Sequence, residues 1–327
     1  MINRRILIFA LVGILALSAI AIVSKLGQED VAQTEDEFEI ISSDEIIKDL
    51  VEEDELRQTV MYFQNKDGYL VPVMRKLTWS EGIAKSTLMN MTEGPEISES
   101  ISEAGLQAII PAGTQINGMT IDENGLCKVD FSQQVLAKDN SEDEENLIKG
   151  IVYTLTEFPN INEVQISVEG KLMDTFTHGT KVGSSLKRED INLVEGAGEA
   201  RSKVVVYYKS SVDELEHFIP VTIPTMAPMP NVYTSLDVLF NGPPEGSNLL
   251  SDIPASVSFQ AVDVHDGTAY VDVELGESNE LTKDATIDSI IKNVGLTLGE
   301  FDEVSSVELV VDGEMINSAV PVFANEY

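Results

Sequence analysis

The sequence has almost no cysteine and few basic residues. Cys127 is the only cysteine among 327 residues, so the chain can form no internal disulfide and its stability must come from packing. Its place in an apolar strand pattern predicts a buried structural thiol. Lysine and arginine total 21 against 56 aspartate and glutamate residues, a formal net charge of −35. Long-range repulsion therefore excludes nucleic acid and anionic lipid surfaces as partners.

The sequence signatures of common enzyme sites are also missing. There is no His-Glu-x-x-His, Cys-x-x-Cys, Gly-x-Ser-x-Gly or phosphate-binding glycine loop. The three histidines, at positions 178, 217 and 265, are isolated, and no two have metal-ligand spacing. We therefore expect no catalytic residue, no metal and no cofactor, and we interpret the chain as a non-enzyme.

One long hydrophobic run lies near the N terminus. Residues 6–23 contain no charge and no proline, and as a helix they would extend about 27 Å, close to the roughly 30 Å core of a bilayer. Arg4 and Arg5 precede the run, so we predict residues 1–5 in the cytoplasm and the bulk of the chain outside it. A cleaved signal peptide is the alternative, but the length of the run favours an uncleaved anchor. No cysteine follows the run directly, so we expect no lipid-modified N terminus.

An internal duplication is the most informative feature of the remaining sequence. Gly94-Pro95 recurs 148 residues later as Gly242-Pro243, and we predict that each pair ends a helix. The apolar residues before each pair are spaced i, i+4 and i+7, as on one helix face. These matched residues are Ala84, Leu88 and Met91 in the first copy and Val232, Leu236 and Leu239 in the second.

The offset between the copies becomes shorter after the Gly-Pro pair. Ile110-Pro111 matches Ile253-Pro254 at 143 residues, so the first copy has the longer connecting loop. The loops 94–111 and 242–254 are candidate binding surfaces, because loops carry function more often than cores do.

A β hairpin, a second helix and a strand follow in each copy. Asn124-Gly125 and Asp266-Gly267 between alternating apolar segments predict the hairpins. Ser141 and Glu144 predict a capping box at the start of the second helix, with Asp284 at the matching position in the second copy. The apolar stripes of that helix are Leu147, Ile148, Ile151, Leu155 and Phe158, matched by Ile290, Ile291, Val294, Leu298 and Phe301. The alternating strands are Val164, Ile166 and Val168, matched by Val307, Leu309 and Val311.

Each copy also opens with strand-like segments, so the repeating unit is strand, strand, helix, hairpin, helix, strand. This order predicts an α+β fold of two tandem homologous domains, each a small mixed sheet with two helices on one face. The expected segments are a cytoplasmic tail (1–5), a transmembrane anchor (6–23), an acidic stalk (24–57), a first domain (58–175), a connector (176–200), a second domain (201–320) and a C-terminal tail (321–327).

Asp130 and Asp272 are the strongest candidates for catalytic carboxylates, since two carboxylates could share acid and base roles. They occupy the same position in two copies, however, and each is expected near the end of a strand. A pair divided between two cores rarely makes one site. We therefore predict a structural turn or cap role for both.

This pattern resembles the GerMN domain family. The likeness rests on an apolar helix with Gly-Pro, an Ile-Pro entry, a glycine-turned hairpin and Val-Asp in the following strand, and residues 236–254 carry it best. The resemblance implies a role in endospore formation, with the domains between the mother-cell and forespore membranes as part of a complex that links the two. Two features depart from the family. Its members often carry a lipoprotein cysteine, and here Glu274 stands where the first copy has Ser132.

We therefore expect a non-enzymatic, membrane-anchored protein of the sporulating or germinating cell. Its expected partners are other proteins of a sporulation membrane complex. The alternative is a module that binds peptidoglycan and recruits or regulates cortex hydrolases. The isolated Trp79 and the scattered tyrosines form no evident sugar-stacking row, but periodicity leaves carbohydrate binding open.

Overall fold

The computed structural model describes residues 56–78, 82–194, 200–212, 215–276, 283–311, 313–316 and 325–326. The predicted anchor, the cytoplasmic tail, nearly all of the predicted stalk and Trp79 lie outside these residues. No helix in the described part of the chain is long and apolar enough to cross a membrane.

The secondary structure follows the same order in the two copies. A long hairpin comes first, helices follow it, and a second group of strands closes the copy. The helices are α1 (Ile83–Met89), α2 (Pro95–Ser102), α3 (Ser141–Thr156), α4 (Val232–Phe240) and α5 (Lys283–Leu298), with a 3-10 helix at Gln133–Leu136. The strands of the first copy are β1 (Leu56–Asn65), β2 (Leu70–Thr78), β3 (Leu106–Gln107), β4 (Ile116–Ile121), β5 (Leu126–Phe131), β6 (Glu163–Val168) and β7 (Lys171–Leu172). Those that follow are β8 (Ser202–Val212), β9 (Leu215–Thr225), β10 (Leu249–Leu250), β11 (Val257–His265), β12 (Thr268–Leu275), β13 (Ser306–Val311), β14 (Glu314–Ile316) and β15 (Asn325–Glu326).

Each copy contributes one mixed sheet, with strand orders β4-β5-β6-β7 and β11-β12-β13-β14. The central pairs β5–β6 and β12–β13 are parallel, and the outer pairs are antiparallel. Parallel neighbours need a crossover connection, and α3 and α5 supply it. The opening hairpins β1–β2 and β8–β9 form two further sheets. The predicted α+β fold with two tandem homologous domains is confirmed.

The core of each copy lies around its long helix. Helix α3 contacts both β1 and β6, and α5 contacts β8 and β13. The predicted stripe of α3 is buried apart from Phe158, and Val152, Tyr153 and Thr154 are buried as well. These additional residues are buried because the hairpin β1–β2 covers a second side of α3. The spacing of apolar residues in the sequence predicted only one buried face.

The predicted hairpins are present in both copies. β11 and β12 are joined by Asp266 and Gly267 alone, whose φ angles of 50° and 81° are positive as a type I′ turn requires. In the first copy Gly125 also has a positive φ of 82°. There the carboxylate of Asp122 accepts hydrogen bonds from the backbone N–H groups of Asn124 and Leu126, at 2.8 and 3.1 Å.

The Gly-Pro pair has different roles in the two copies. Gly242 has a φ of 83° and follows the end of α4, as predicted. Gly94 instead precedes α2, with Pro95 as the first helical residue, so the prediction that it ends a helix is wrong for the first copy. Proline suits that position because a backbone N–H at the start of a helix has no acceptor within the helix. The negative charge of Glu96 in the first turn interacts favourably with the helix dipole. The longer loop of the first copy is therefore partly helical.

The predicted capping box at α3 is also wrong. Asn140 caps the helix, and its side-chain oxygen accepts from the backbone N–H of Asp143 at 2.9 Å. Glu144 is only 1% exposed, and its two carboxylate oxygens accept from the N–H groups of His178 and Thr180 at 2.8 and 3.0 Å. The carboxylate thus fixes the chain that leaves the first domain. Helix α5 begins at Lys283, so Asp284 already lies in its first turn.

The thiol of Cys127 is predicted to be unreactive in the folded protein. Its side chain on β5 is fully buried, and desolvation raises the pKa of the thiol to about 11. We expect no labelling by a maleimide at pH 7.5 in native buffer and complete labelling in 8 M urea, measured by intact mass. Stoichiometric labelling of the native protein would contradict this burial.

Replacement of Glu144 by glutamine is predicted to lower the free energy of unfolding by about 1–3 kcal/mol at pH 7, because one backbone N–H loses its acceptor. Desolvation raises the pKa of Glu144, but the two N–H donors lower it by more, so the net pKa lies below the usual value. This stabilisation is present above the unfolded-state pKa of about 4.3 and is lost as the pH falls through the folded-state pKa. The difference between wild type and variant should therefore shrink below about pH 4.

Urea unfolding at a series of pH values measures this effect. Glu145→Gln is the matched control, because Glu145 is exposed and forms a salt bridge with Lys149 one turn later. Equal losses in the two variants would contradict the role of Glu144.

Candidate functional site at the junction of the two copies

The connector after the first domain is packed against the protein. Its residues Phe176, Val182 and Ile191 are buried. The backbone groups of Val164 and Leu186 exchange two hydrogen bonds, at 2.8 and 2.7 Å, so the connector also extends the first copy's mixed sheet. The described part of the connector therefore fixes how the first domain enters the second.

The end of each copy binds the hairpin of the other copy. The carbonyl of Ile191, in the connector, accepts from the N–H of Thr222 on β9 at 3.0 Å, and Thr222 Oγ1 accepts from the N–H of Ile191 at 2.9 Å. In return, β15 near the C terminus pairs in parallel with β2 of the first copy. The two copies are thus joined by reciprocal contacts.

Two asparagine side chains connect the adjacent strands β2 and β9. Asn192 Oδ1 accepts from the N–H of Leu70, and its Nδ2 donates to the carbonyls of Leu70 and Pro220, all at 2.8 Å. Asn325 Oδ1 accepts from the N–H of Phe218 at 2.9 Å, and its Nδ2 donates to the carbonyls of Phe218 and Pro72 at 2.8 Å. We refer to these two sets of bonds as the asparagine bridges.

The two bridges involve equivalent residues. Leu70 and Phe218 are 148 residues apart, and so are Pro72 and Pro220, the offset that relates the two Gly-Pro pairs. Asn192 bonds to both backbone groups of Leu70 on β2 and to the carbonyl of Pro220 on β9. Asn325 bonds to both backbone groups of Phe218 on β9 and to the carbonyl of Pro72 on β2. Proline has no backbone N–H to donate across a strand pair, and an asparagine amide supplies two donors and an acceptor in its place.

A cleft of about 620 Å³ lies at the same junction. Two equivalent tyrosine–glutamate pairs face it: the hydroxyl of Tyr62 donates to Glu157 at 3.2 Å, and that of Tyr207 donates to Glu300 at 3.0 Å. The backbone N–H of each tyrosine also donates to a threonine of the long helix in its own copy, at 3.1 Å in both cases. Burial raises the pKa of both tyrosines well above its usual value, so they remain neutral donors.

Arg188 from the connector supplies the cleft with a paired cation. Its Nη2 donates to Glu157 at 2.5 Å, its Nε donates to Thr156 Oγ1 at 2.8 Å, and its guanidinium carbon lies 4.9 Å from the centre of the Tyr153 ring. Desolvation lowers the pKa of Arg188, but Glu157 and the other nearby negative groups raise it by more. The first copy's carboxylate is thus neutralised within the chain.

Glu300 has no ion pair of this kind among the described residues. Desolvation raises its pKa above the usual value, while the more distant charge of Arg188 and the hydrogen bond from Tyr207 partly oppose the shift. More than a third of the residue is exposed, so the carboxylate is surrounded by protein yet open to the cleft. This arrangement can bind and orient a cation. No group of three histidine, cysteine, aspartate or glutamate side chains suited to a metal occurs in the part of the chain that the structure describes.

The structure places the Gly-Pro and Ile-Pro residues of the first copy together. Gly94 and Pro95 start α2, and Pro111 follows a short parallel bridge between Thr92 and Ile110. The backbone N–H of Glu93 donates to the carbonyl of Ile110 at 2.8 Å. The two ends of the segment 94–111 therefore lie side by side at the base of α2.

The matching residues of the second copy contact the hairpin β8–β9 and form the turn that precedes β11. The carbonyl of Gly242, just before Pro243, accepts from the hydroxyl of Tyr208 at 2.9 Å. The carbonyl of Pro254 accepts from the N–H of Val257 at 2.9 Å and so leads the chain into β11. These contacts are structural and leave the exposed side chains of the segment 242–254 available.

Asp130 holds the turn between β6 and β7. Its Oδ1 accepts from Ser167 Oγ at 2.6 Å and from the N–H of Gly170 at 2.8 Å, and its Oδ2 accepts from Asn117 at 3.2 Å. These bonds outweigh desolvation and lower the pKa of Asp130. Asp130 therefore has a role in this turn. Asp272 occupies the matching place on β12, beside Val310 of β13.

Sequence reasoning did not identify the residues of this junction. The internal repeat contains a signal for the two glutamates, because Glu157 and Glu300 are 143 residues apart and directly precede the matched residues Phe158 and Phe301. Asn192 and Asn325 gave no such signal. They are 133 residues apart, an offset that no motif shares.

Comparisons with known proteins agree on one family. A family model described as Germane: Sporulation and spore germination matches residues 60–174 and 205–317. The spore germination protein GerM of Bacillus subtilis (strain 168) is 30% identical over 284 residues, 82% of this chain and 76% of that protein. A solved structure of the tandem GerMN domains of the sporulation protein GerM from Bacillus subtilis aligns with a TM-score of 0.71 at 26% identity, over 83% of this chain and 99% of that one.

Replacement of Asn192 by aspartate is predicted to weaken the junction. A carboxylate cannot donate to the carbonyls of Leu70 and Pro220, so we expect the free energy of unfolding to fall by about 1–3 kcal/mol at pH 7. Urea unfolding measures the change. Asn160→Asp introduces the same charge at an exposed position and serves as the control. Equal stability of the two variants would contradict the role of the asparagine bridges.

Proposed function

Because this chain belongs to the Germane family of sporulation and spore germination proteins, we propose that it is a non-enzymatic assembly protein of the sporulating cell. Its tandem GerMN-type domains bind partner proteins in the space between the mother-cell and forespore membranes. Residues 6–23 anchor it in the mother-cell membrane, and residues 1–5 lie in the cytoplasm. Family membership confirms the resemblance drawn from the repeat, and the relatives are named as sporulation and germination proteins, not as enzymes.

The observation that supports this proposal best is the bonding of the junction. The asparagine bridges, the reciprocal contacts of the two chain ends and the packed connector hold the two domains in a fixed relation. An enzyme that closes over a substrate needs hinges between its parts. A fixed pair of domains instead suits a scaffold that presents two surfaces at constant spacing.

The carboxylates also support a non-catalytic reading. The side chain of Asp130, the strongest catalytic candidate in the sequence, is occupied by three hydrogen bonds at a turn. Glu144 is buried and bonded to backbone N–H groups. A general acid or base must reach a substrate proton, and these two groups are committed to the fold.

The segments 94–111 and 242–254 are the proposed contact surfaces. In the first copy α2 exposes a row of polar side chains that includes Glu99, and in the second copy the shorter loop exposes Glu245. The same position in the fold thus carries a helix in one domain and a loop in the other. The two domains can therefore recognise different partners.

Affinity capture from sporulating cells tests the proposal. The full chain carries an N-terminal tag, because Asn325 near the C terminus belongs to the junction. We expect saturable capture of proteins of the membrane complex and no retention on purified peptidoglycan. Glu99→Lys and Glu245→Lys are matched variants that reverse one exposed charge in each candidate segment, and at least one of them should reduce capture several-fold.

Other outcomes identify the alternatives. Retention on peptidoglycan without any partner protein would replace the assembly function with that of a wall-binding module. Full capture by both variants would keep the assembly function but exclude these two segments as the contact surfaces. Capture of no partner by the wild-type chain would overturn the proposal.

A further inference from the structure

The junction holds the guanidinium of Arg188 in a site, here called a seat, whose positions have equivalents in the second copy. In the first copy the guanidinium of Arg188 occupies a seat made by Tyr153, Thr156 and Glu157. Addition of the 143-residue offset of the long helices gives Leu296, Gly299 and Glu300 in the second copy. All three line the cleft at the junction. The second seat is therefore built on the same turn of the equivalent helix.

Among the described residues of the second copy, no arginine or lysine forms an ion pair with Glu300. Asn192 and Asn325 have equivalent bonds, and their 133-residue offset carries Arg188 to position 321, which is a proline. Residues 314–327 contain no lysine or arginine at all. Desolvation raises the pKa of Glu300, and the charge of Arg188 partly opposes this shift.

We propose that the second seat, formed by Leu296, Gly299 and Glu300, binds an arginine side chain of a partner protein. The inference rests on the proposed assembly function and adds the chemistry of the contact. Leu296 offers an apolar floor for the methylene groups of the arginine. Gly299 has no side chain where Thr156 stands in the first seat, which leaves room for a group that enters from outside. The Glu300 carboxylate then pairs with the guanidinium.

Charge and geometry favour arginine among the cations that a partner can present. The net charge of −35 attracts basic proteins over long distances. The planar guanidinium can form two parallel bonds with a carboxylate, and in the first seat the guanidinium carbon of Arg188 also lies 4.9 Å from the centre of the Tyr153 ring. The hydroxyl of Tyr207, bonded to Glu300, holds the carboxylate in place before the ligand arrives.

A titration of the full chain in detergent micelles tests the seat directly. The protein carries ¹⁵N-labelled glycine, and N-acetyl-arginine amide is the probe. We expect saturable shifts of the Gly295 and Gly299 amide signals, and no saturable shift with the citrulline analogue, which has the same shape without the charge. Equal responses to arginine and citrulline would overturn the proposal.

Two variants and a control separate binding from folding. Glu300→Gln should weaken the binding of the probe roughly tenfold or more, since it removes the charge of a partly desolvated pair. Gly299→Val should also abolish the saturable shift of Gly295, because its side chain occupies the seat without any change of charge. Glu303→Gln removes an exposed charge from the same end of the helix and should bind within about twofold of wild type. Binding by Glu300→Gln or Gly299→Val equal to that of the control would exclude the seat.

The capture experiment distinguishes this inference from the proposed function. If wild type and Glu303→Gln capture partners and Glu300→Gln does not, the seat is part of the partner interface. If all three capture partners equally, the assembly function stands and the seat is excluded as its contact. If none captures a partner, the assembly function fails, and the titration alone decides whether the seat binds arginine.

Discussion

The relation between the two domains depends on one constraint: the adjacent strands β2 and β9 carry proline where they face each other. Pro72 and Pro220 can accept hydrogen bonds but cannot donate them. The asparagine bridges supply the missing donors, and each bridge comes from the end of one copy. Because the two bridges use equivalent residues, the duplicated sequence forms one body through a nearly symmetric junction.

The two copies differ in chemistry at the positions where the junction is not symmetric. The first copy forms α2 in a segment that is five residues longer than its equivalent in the second copy. It also carries Arg188, which neutralises Glu157, whereas the matching Glu300 stays open to the cleft. A duplicated domain keeps its core because packing constrains it, and its surface positions are free to diverge. Arg188 and helix α2 both lie at surface positions where the two copies have diverged.

Local patterns predicted most of the fold. The buried alternation of β6 and β13, the helix stripes and the Asp266-Gly267 turn all follow from spacing along the chain, because each depends on neighbours within a few residues. The predictions that were wrong also concerned local features. Asn140, and not Ser141, caps α3, since either residue can accept a bond from the helix start and only the path of the chain decides between them. Gly94 begins a helix because five additional residues lengthen this segment of the first copy enough to form α2.

The sequence by itself determined that the chain contains two copies of one α+β domain, that its thiol is buried and that Asp130 has a structural role. These properties are encoded in periodic or repeated residues. Only the tertiary structure decided that Glu144 binds the connector, that Asn192 and Asn325 join the two hairpins, and that Glu300 lines the cleft with no ion pair to a described residue. These contacts link residues that lie 28 to more than 250 positions apart, and no spacing along the chain encodes a distance in space.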